Sequence, residues 1–267
     1  GGTLTLNHPF NLTFGTAITG GSGTLAKDGT NQVTLSANNS GFSGAIAVNA
    51  GILRAGVANS LGNESGGTTV AAGATLDVNA INLGNEPVTV SGSGVNGLGA
   101  IVNNSATAQQ NALHNVTLTG HTVFGGVNRW DIRTNATGLA EFSTGGNSYN
   151  LTKVGANYFP LVSANVDAAL GDVDVQSGGF GYEFWTSGLG DPTKTLNVAS
   201  NAYFLMYGAL NPLDKHIRLQ GGAQLRSQNA SNTILGPVLL PGGLASILTD
   251  VHLTLANEVS GAGSLEK

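Results

Sequence analysis

Val48-Asn-Ala-Gly51-Ile-Leu53 and Val70-Ala-Ala-Gly73-Ala-Thr-Leu76 carry one stanza twice. An apolar residue is followed by two small or polar ones, a turn former, and then apolar positions again. The stanza returns at Val198-Ala-Ser-Asn201-Ala-Tyr-Phe204 and at Leu219-Gln-Gly-Gly222-Ala-Gln-Leu225. The steps are 70 − 48 = 22 and 219 − 198 = 21 residues. Such a period in a strand-like sequence predicts a solenoid, in which each repeat is one coil stacked on its neighbours.

A longer repeat encloses the short one. Thr24-Leu-Ala-Lys27 matches Asn150-Leu-Thr-Lys153, Ala45-Ile-Ala-Val48 matches Asp172-Val-Asp-Val175, and Leu61-Gly62 matches Leu189-Gly190. The offsets are 126, 127 and 128 residues. Gly263-Ser-Leu-Glu-Lys267 then repeats the start once more. The chain therefore reads as one continuous segment, 1–267, with units at about 23–148 and 149–262 and a further unit beginning at 263–267. That pattern predicts a piece cut from a longer tandem array.

The local pattern is β throughout. Val33-Thr-Leu35, Ala45–Val48, Thr75–Val78, Val88-Thr-Val90 and Val116-Thr-Leu118 alternate at period 2 between Gly, Asn and Ser punctuation. Thr107–Leu113 is the best helical candidate, and it is short. A propeller blade needs about 40–50 residues and fits the short period badly. The expectation is an all-β, right-handed parallel β-helix of roughly 12 coils of about 22 residues.

Composition narrows the function classes. Forty-one of the 267 residues are glycine, about twice average usage. Charged residues make up 9 %, against roughly 25 % in ordinary domains, while 40 % are apolar. Ten Lys and Arg against fifteen Asp and Glu, a net charge of −5, argue against nucleic acid, which demands clustered cations. No apolar run reaches membrane-spanning length, so no membrane insertion of this segment is expected. The absence of cysteine suits a chain that crosses a membrane unfolded.

Gly21-x-Gly-Thr-Leu-x-Lys27, Val48–Arg54, Ser60-Leu-Gly62, Val70–Asp77 and Arg129-Trp-Asp-Ile-Arg133 together resemble the autotransporter-associated β-strand repeat, also called the passenger-associated transport repeat. The resemblance covers most of the chain. It implies a right-handed β-helix within a large bacterial surface or secreted protein, exported through the outer membrane and folded outside. It carries no catalytic residues and no cofactor. The implied role is a rod or stalk folding coil by coil, with neighbouring repeats of the same parent as its partners. Alternatives are an adhesin or glycan-binding surface and, less favoured, a carbohydrate-active enzyme. Exposed end strands would also permit end-to-end or lateral self-association into fibres.

Asp167, Asp172, Asp174, Glu183 and Asp191 form the densest acidic region. Asp172 and Asp174 align with Ala45 and Ala47, which places both outward on a strand and makes them candidates for weak Ca²⁺ binding. No cluster of acids and bases across coils is visible in the sequence, so no catalytic site is expected. Phe180 and Phe204 align with core positions Leu53 and Leu76, which leaves Trp185 as the candidate ligand-binding aromatic. Trp130 and Tyr203 are read in the same way. Asn38 and Asn165 are expected to stack as amide ladders at coil corners. The five histidines lack metal-ligand spacing.

Overall fold

The computed structural model describes residues 1–267. It is a parallel β-solenoid of about 13 turns with coils of about 21 residues. At ~4.8 Å per coil the stack is roughly 60 Å long. Regular helix is absent apart from the 3₁₀ turn Val95–Gly97.

The first face of the solenoid rises through Thr3–Leu6, Thr24–Lys27, Ala45–Val48, Thr68–Val70, Pro87–Gly92, the first half of Asn115–Gly126, Ala140–Ser143 and Ala164–Val166. The second rises from Leu12–Phe14 through Gln32–Leu35, Ile52–Ala55, Thr75–Asp77, Ile101–Asn103 and the second half of Asn115–Gly126. It continues through Leu151–Lys153, Val173–Val175, Thr195–Val198, His216–Leu219, Val238–Leu239 and Val259–Ser260. The third is built later, from Gln109–Leu113, Trp130–Arg133, Tyr158–Val162, Gly178–Glu183, Ala202–Tyr207, Gln224–Gln228, Leu244–Thr249 and Ser264–Glu266. Every strand pair within these faces is parallel.

Alternation sets the core. Ile46 and Val48 point inward while Ala45 is exposed. In the long run the inward positions become ladders, such as Val33, Leu53, Leu76, Ile101 and Phe124 on the second face. One cluster of 54 buried apolar residues runs along the stack. In its middle the ladder turns aromatic: Trp130 packs on Phe159 at 4.4 Å and on Phe124 at 5.2 Å between ring centroids. The Trp130 indole donates to the Gly125 carbonyl, so its one polar atom is satisfied.

The turn residue of the stanza has one physical cause. Gly51, Gly73, Asn201 and Gly222 have φ of 65°, 86°, 63° and 82°. This left-handed conformation is open to glycine and tolerated by asparagine. At Gly51 a Cβ would also lie 2.5 Å from the Gly29 carbonyl oxygen of the coil below.

Two expectations change. Thr107–Leu113 is not helical: Gln109–Leu113 is a strand paired with Trp130–Arg133, because cross-coil pairing outweighs a weak local preference. Nor do Asn38 and Asn165 stack as amide ladders at coil corners: Asn38 Oδ1 accepts from Ser40 N, and Asn165 Nδ2 donates to Glu141 in the neighbouring coil. The structural amide is Asn39, one residue on and 1 % exposed. Its Oδ1 accepts from Ile18 N and its Nδ2 donates to Ser60 O, so it spans three coils. Asn103 and Asn232 are likewise buried, with amides shared between coils.

Two lysines that align in the long repeat, Lys27 and Lys153, make like contacts on different faces. Lys27 and Lys153 are 1 % and 0 % exposed. The Lys27 ammonium donates to the carbonyls of Asp28, Gly29 and Ala50. Lys153 donates to those of Val154, Gly155 and Ser177, the same set carried forward. Yet Lys27 lies on the first face and Lys153 on the second. From the strand of Lys27 the first face rises five strands to Ala140–Ser143, and the next strand of the chain, on the second face, bears Lys153. From there the second face rises five strands to Val259–Ser260, and the next strand, on the third face, is Ser264–Glu266, directly before Lys267. Each long unit therefore advances five turns and one face.

Candidate functional site

The third face carries an inter-coil cluster of acids and bases, which corrects the expectation that none exists. Asp131 is fully buried. Arg129 grips it with Nε and Nη2 at 2.7 and 2.8 Å, and Arg133 donates to its Oδ2 from Nε and Nη2 at 3.1 and 2.8 Å. Two coils further, Glu183 is 4 % exposed. Its Oε1 accepts from the Tyr158 hydroxyl at 2.7 Å and lies 3.6 Å from Arg129 Nη2. The sequence hides this group because its members come from three separate strands. Arg129-Trp-Asp-Ile-Arg133 was visible only as part of a repeat motif.

Two glycines make room for it. Gly179 and Gly181 occupy outward positions between Tyr158–Val162 and Ala202–Tyr207. A Cβ on Gly181 would lie 2.1 Å from the Tyr158 hydroxyl, and one on Gly179 2.1 Å from Tyr203 Cζ. The two tyrosine rings thus lie in the trough the glycines leave, stacked at 5.9 Å and 18°. Arginines flank them: Arg129 Cζ is 5.1 Å from the Tyr158 ring and Arg226 Cζ is 3.7 Å from the Tyr203 ring. Beside this stack is a depression of about 430 Å³ lined in part by Arg129, Arg133, Tyr158, Glu183, Phe184 and Tyr207.

Burial pushes the carboxyl groups of both Asp131 and Glu183 upward, opposed at Asp131 by the arginines and at Glu183 by Tyr158 and Arg129. Both Asp131 oxygens are taken by guanidinium groups. Acid–base glycoside hydrolysis needs two carboxylates that can reach the substrate. Only Glu183 leaves an oxygen, Oε2, without a hydrogen-bond partner, and that atom is not sealed from solvent.

The acidic region seen in the sequence is dispersed. Asp167 caps a turn by accepting from the backbone N–H of Thr144, Gly146 and Ala169. Asp172 and Asp174 lie on the second face, with Val173 and Val175 fully buried between and after them. Asp172 accepts from Thr195 N, and Asp174 from Gln176 and Asn197. They line a shallow groove of about 690 Å³ with Thr152, Asn197, His216 and Arg218. No group of three or more His, Cys, Asp or Glu is placed to hold a metal ion.

The aromatic candidates divide. Phe180, Tyr182, Phe204 and Trp130 are core residues at 0 % exposure. Tyr203 belongs to the outer stack. Trp185 is 59 % exposed at the turn after Gly178–Glu183, and it does not line the third-face depression. Of the histidines, His114 is buried and bonds through Nδ1 to the Arg133 carbonyl at 3.0 Å, helping to hold the chain beyond the cluster.

No protein-family model, no curated protein and no solved structure matches this chain.

Proposed function

We propose that the chain is a structural rod segment of a large bacterial surface or secreted protein, folding coil by coil after export. In this reading it is not an enzyme, it needs no cofactor, and its partners are neighbouring repeats of its parent. The observation that carries the reading is the buried lysine clasp. The ammonium of Lys27 or Lys153 reaches two carbonyls just ahead of it and one in the coil above. Each clasp is complete only when the next coil has been laid down, so coils stabilise one another in sequence. Low charge, the absence of cysteine and the resemblance to passenger repeats support an extracellular location.

Truncation from the C-terminus in whole coils tests it, with urea midpoints read by circular dichroism. The midpoint is expected to fall as coils are removed, and to fall further when the coil holding Ser177 O is lost. A midpoint independent of coil number overturns the additive rod.

A further inference from the structure

We propose that the depression on the third face is a binding subsite for a neutral saccharide, recognised through a vicinal diol. This goes beyond the rod reading and does not depend on it. The floor holds one nearly buried carboxylate, Glu183, whose Oε2 has no partner. Beside it stand Arg129 and Arg133, each using Nε and Nη2 on Asp131 and leaving Nη1 unpaired. A diol meets such a pair in full: one hydroxyl donates to Glu183 Oε2, and its neighbour accepts from a guanidinium Nη1. The floor carries two positive and two negative groups, so it is neutral as a whole. A uronate or other acidic sugar would bring a further carboxylate against Glu183 and Asp131.

The walls suit the apolar face of a sugar ring. Phe184 and Tyr207 meet edge to face at 5.7 Å, and both are half-buried. Phe184 is held at φ 52°, a left-handed conformation that is strained for an aromatic residue. Its N–H donates to Tyr207 O and its carbonyl accepts from Leu210 N, which fix the ring beside the depression. Gln110 and Gln228 add neutral amides at the edge. A volume of about 430 Å³ falls within the range of ligand sites, about 300–1,000 Å³.

The test is saturation-transfer NMR and titration calorimetry on the whole chain. The probes are hexasaccharides of β-1,4-glucan, α-mannan and β-1,4-galactan, with hexagalacturonate as the acidic comparison. At least one neutral probe is expected to bind at millimolar concentration, and more tightly than hexagalacturonate. Glu183→Gln, which keeps an acceptor for Tyr158, is expected to weaken binding about fivefold or more, as is Tyr207→Ala. Trp185→Ala is expected to leave it unchanged. Binding of no neutral probe overturns the proposal, as does tighter binding of the acidic one. Binding that survives both Tyr207→Ala and Glu183→Gln but is lost in Trp185→Ala places any saccharide site elsewhere and also overturns it. Circular dichroism identifies any variant that has lost the fold, and Tyr207→Ala, altering a half-exposed wall residue, then decides alone.

Discussion

The two long units share an interior and differ outside. Leu53 and Leu76 of the first correspond to Phe180 and Phe204 of the second, and all four are fully buried. The outward neighbours change character. Ile52 and Arg54 in the first unit stand where the second has Gly179 and Gly181. Arg54 lies over the coil surface and pairs with Asp77 at 3.6 Å. In the second unit those two side chains are gone, and the tyrosines and the depression occupy the vacated surface. The repeat constrains what the coil must bury and leaves free what it displays. Because each unit also advances by one face, the divergent display of the second unit sits a third of a turn from the corresponding surface of the first.

The shared lysine offers the largest break in this comparison. Lys153→Met keeps the aliphatic stem and removes three donors, leaving the carbonyls of Val154, Gly155 and Ser177 without the ammonium. Each unpaired buried polar group costs about 1–3 kcal/mol, so a loss of about 3 kcal/mol or more is expected in urea unfolding. Lys27→Met should cost less, because a single coil lies below it and its carbonyls regain water more easily. Equal losses would show that position in the stack does not matter.

Lys153 and a second buried lysine, Lys215, have a pH signature. Burial pulls Lys153 down to about 7 from 10.5, and Lys215, clasped by the carbonyls of Gly171, Leu189 and Asp191, down to about 8. Between these values and 10.5 the unfolded chain binds more protons than the folded one, so stability rises with pH across that window. Each group contributes at most about 1.4 kcal/mol per pH unit. Between pH 7 and 9 the wild type should gain stability, and Lys153→Met should gain measurably less. An identical gain in both would mean that Lys153 stays fully charged inside the rod.

Much of the interior was legible in the sequence. The stanza places Val48, Leu53, Val70 and Leu76 inward, and its turn residue takes the left-handed conformation in all four copies. Alternation sent Asp172 and Asp174 outward. The rotation of the long unit was not legible, because an offset of 126 residues does not reveal how many faces the chain has turned. The third-face cluster was hidden for the same reason. Asp131, Tyr158 and Glu183 are far apart in sequence, and they meet only because whole coils stand between them. The clasp of Lys27 was missed because a lysine in an apolar ladder reads as a surface residue until its carbonyl partners are seen.

The glycine trough gives an intermediate effect. Gly181→Ala returns part of what Arg54 supplies in the first unit. The new methyl would displace the Tyr158 hydroxyl and break its bond to Glu183, a charge-assisted contact of about 1.5–3 kcal/mol. The backbone stays extended and the strand gains an ordinary residue, which offsets part of that. A net loss of about 1 kcal/mol is expected, with the ring stack disturbed in near-ultraviolet circular dichroism. Arg54→Ala in the first unit removes the guanidinium beside the buried Asp77, which keeps its bonds from Asn79 N and Asn104 N, so a loss of about 1 kcal/mol is expected with the aromatic signal unaltered. A silent Gly181→Ala would mean that Tyr158 has another place to lie.

The smallest effect is expected on the second face, at the Ca²⁺ candidates. Asp172 and Asp174 stand where the first unit has Ala45 and Ala47, so this strand tests whether the outer acids bind an ion or only their hydrogen-bond partners. Their oxygens already accept from Thr195 N, Gln176 and Asn197. A calcium ion takes six to eight oxygen ligands. Two carboxylates engaged in this way, in an open groove that also holds Arg218, supply too few and meet a competing positive charge. Millimolar Ca²⁺ should leave the melting temperature of the wild type unchanged, and Asp174→Asn should shift stability by no more than about 0.5 kcal/mol. A Ca²⁺-dependent rise in melting temperature that Asp174→Asn removes would restore the second face as a metal site and give the second unit two acquired surfaces instead of one.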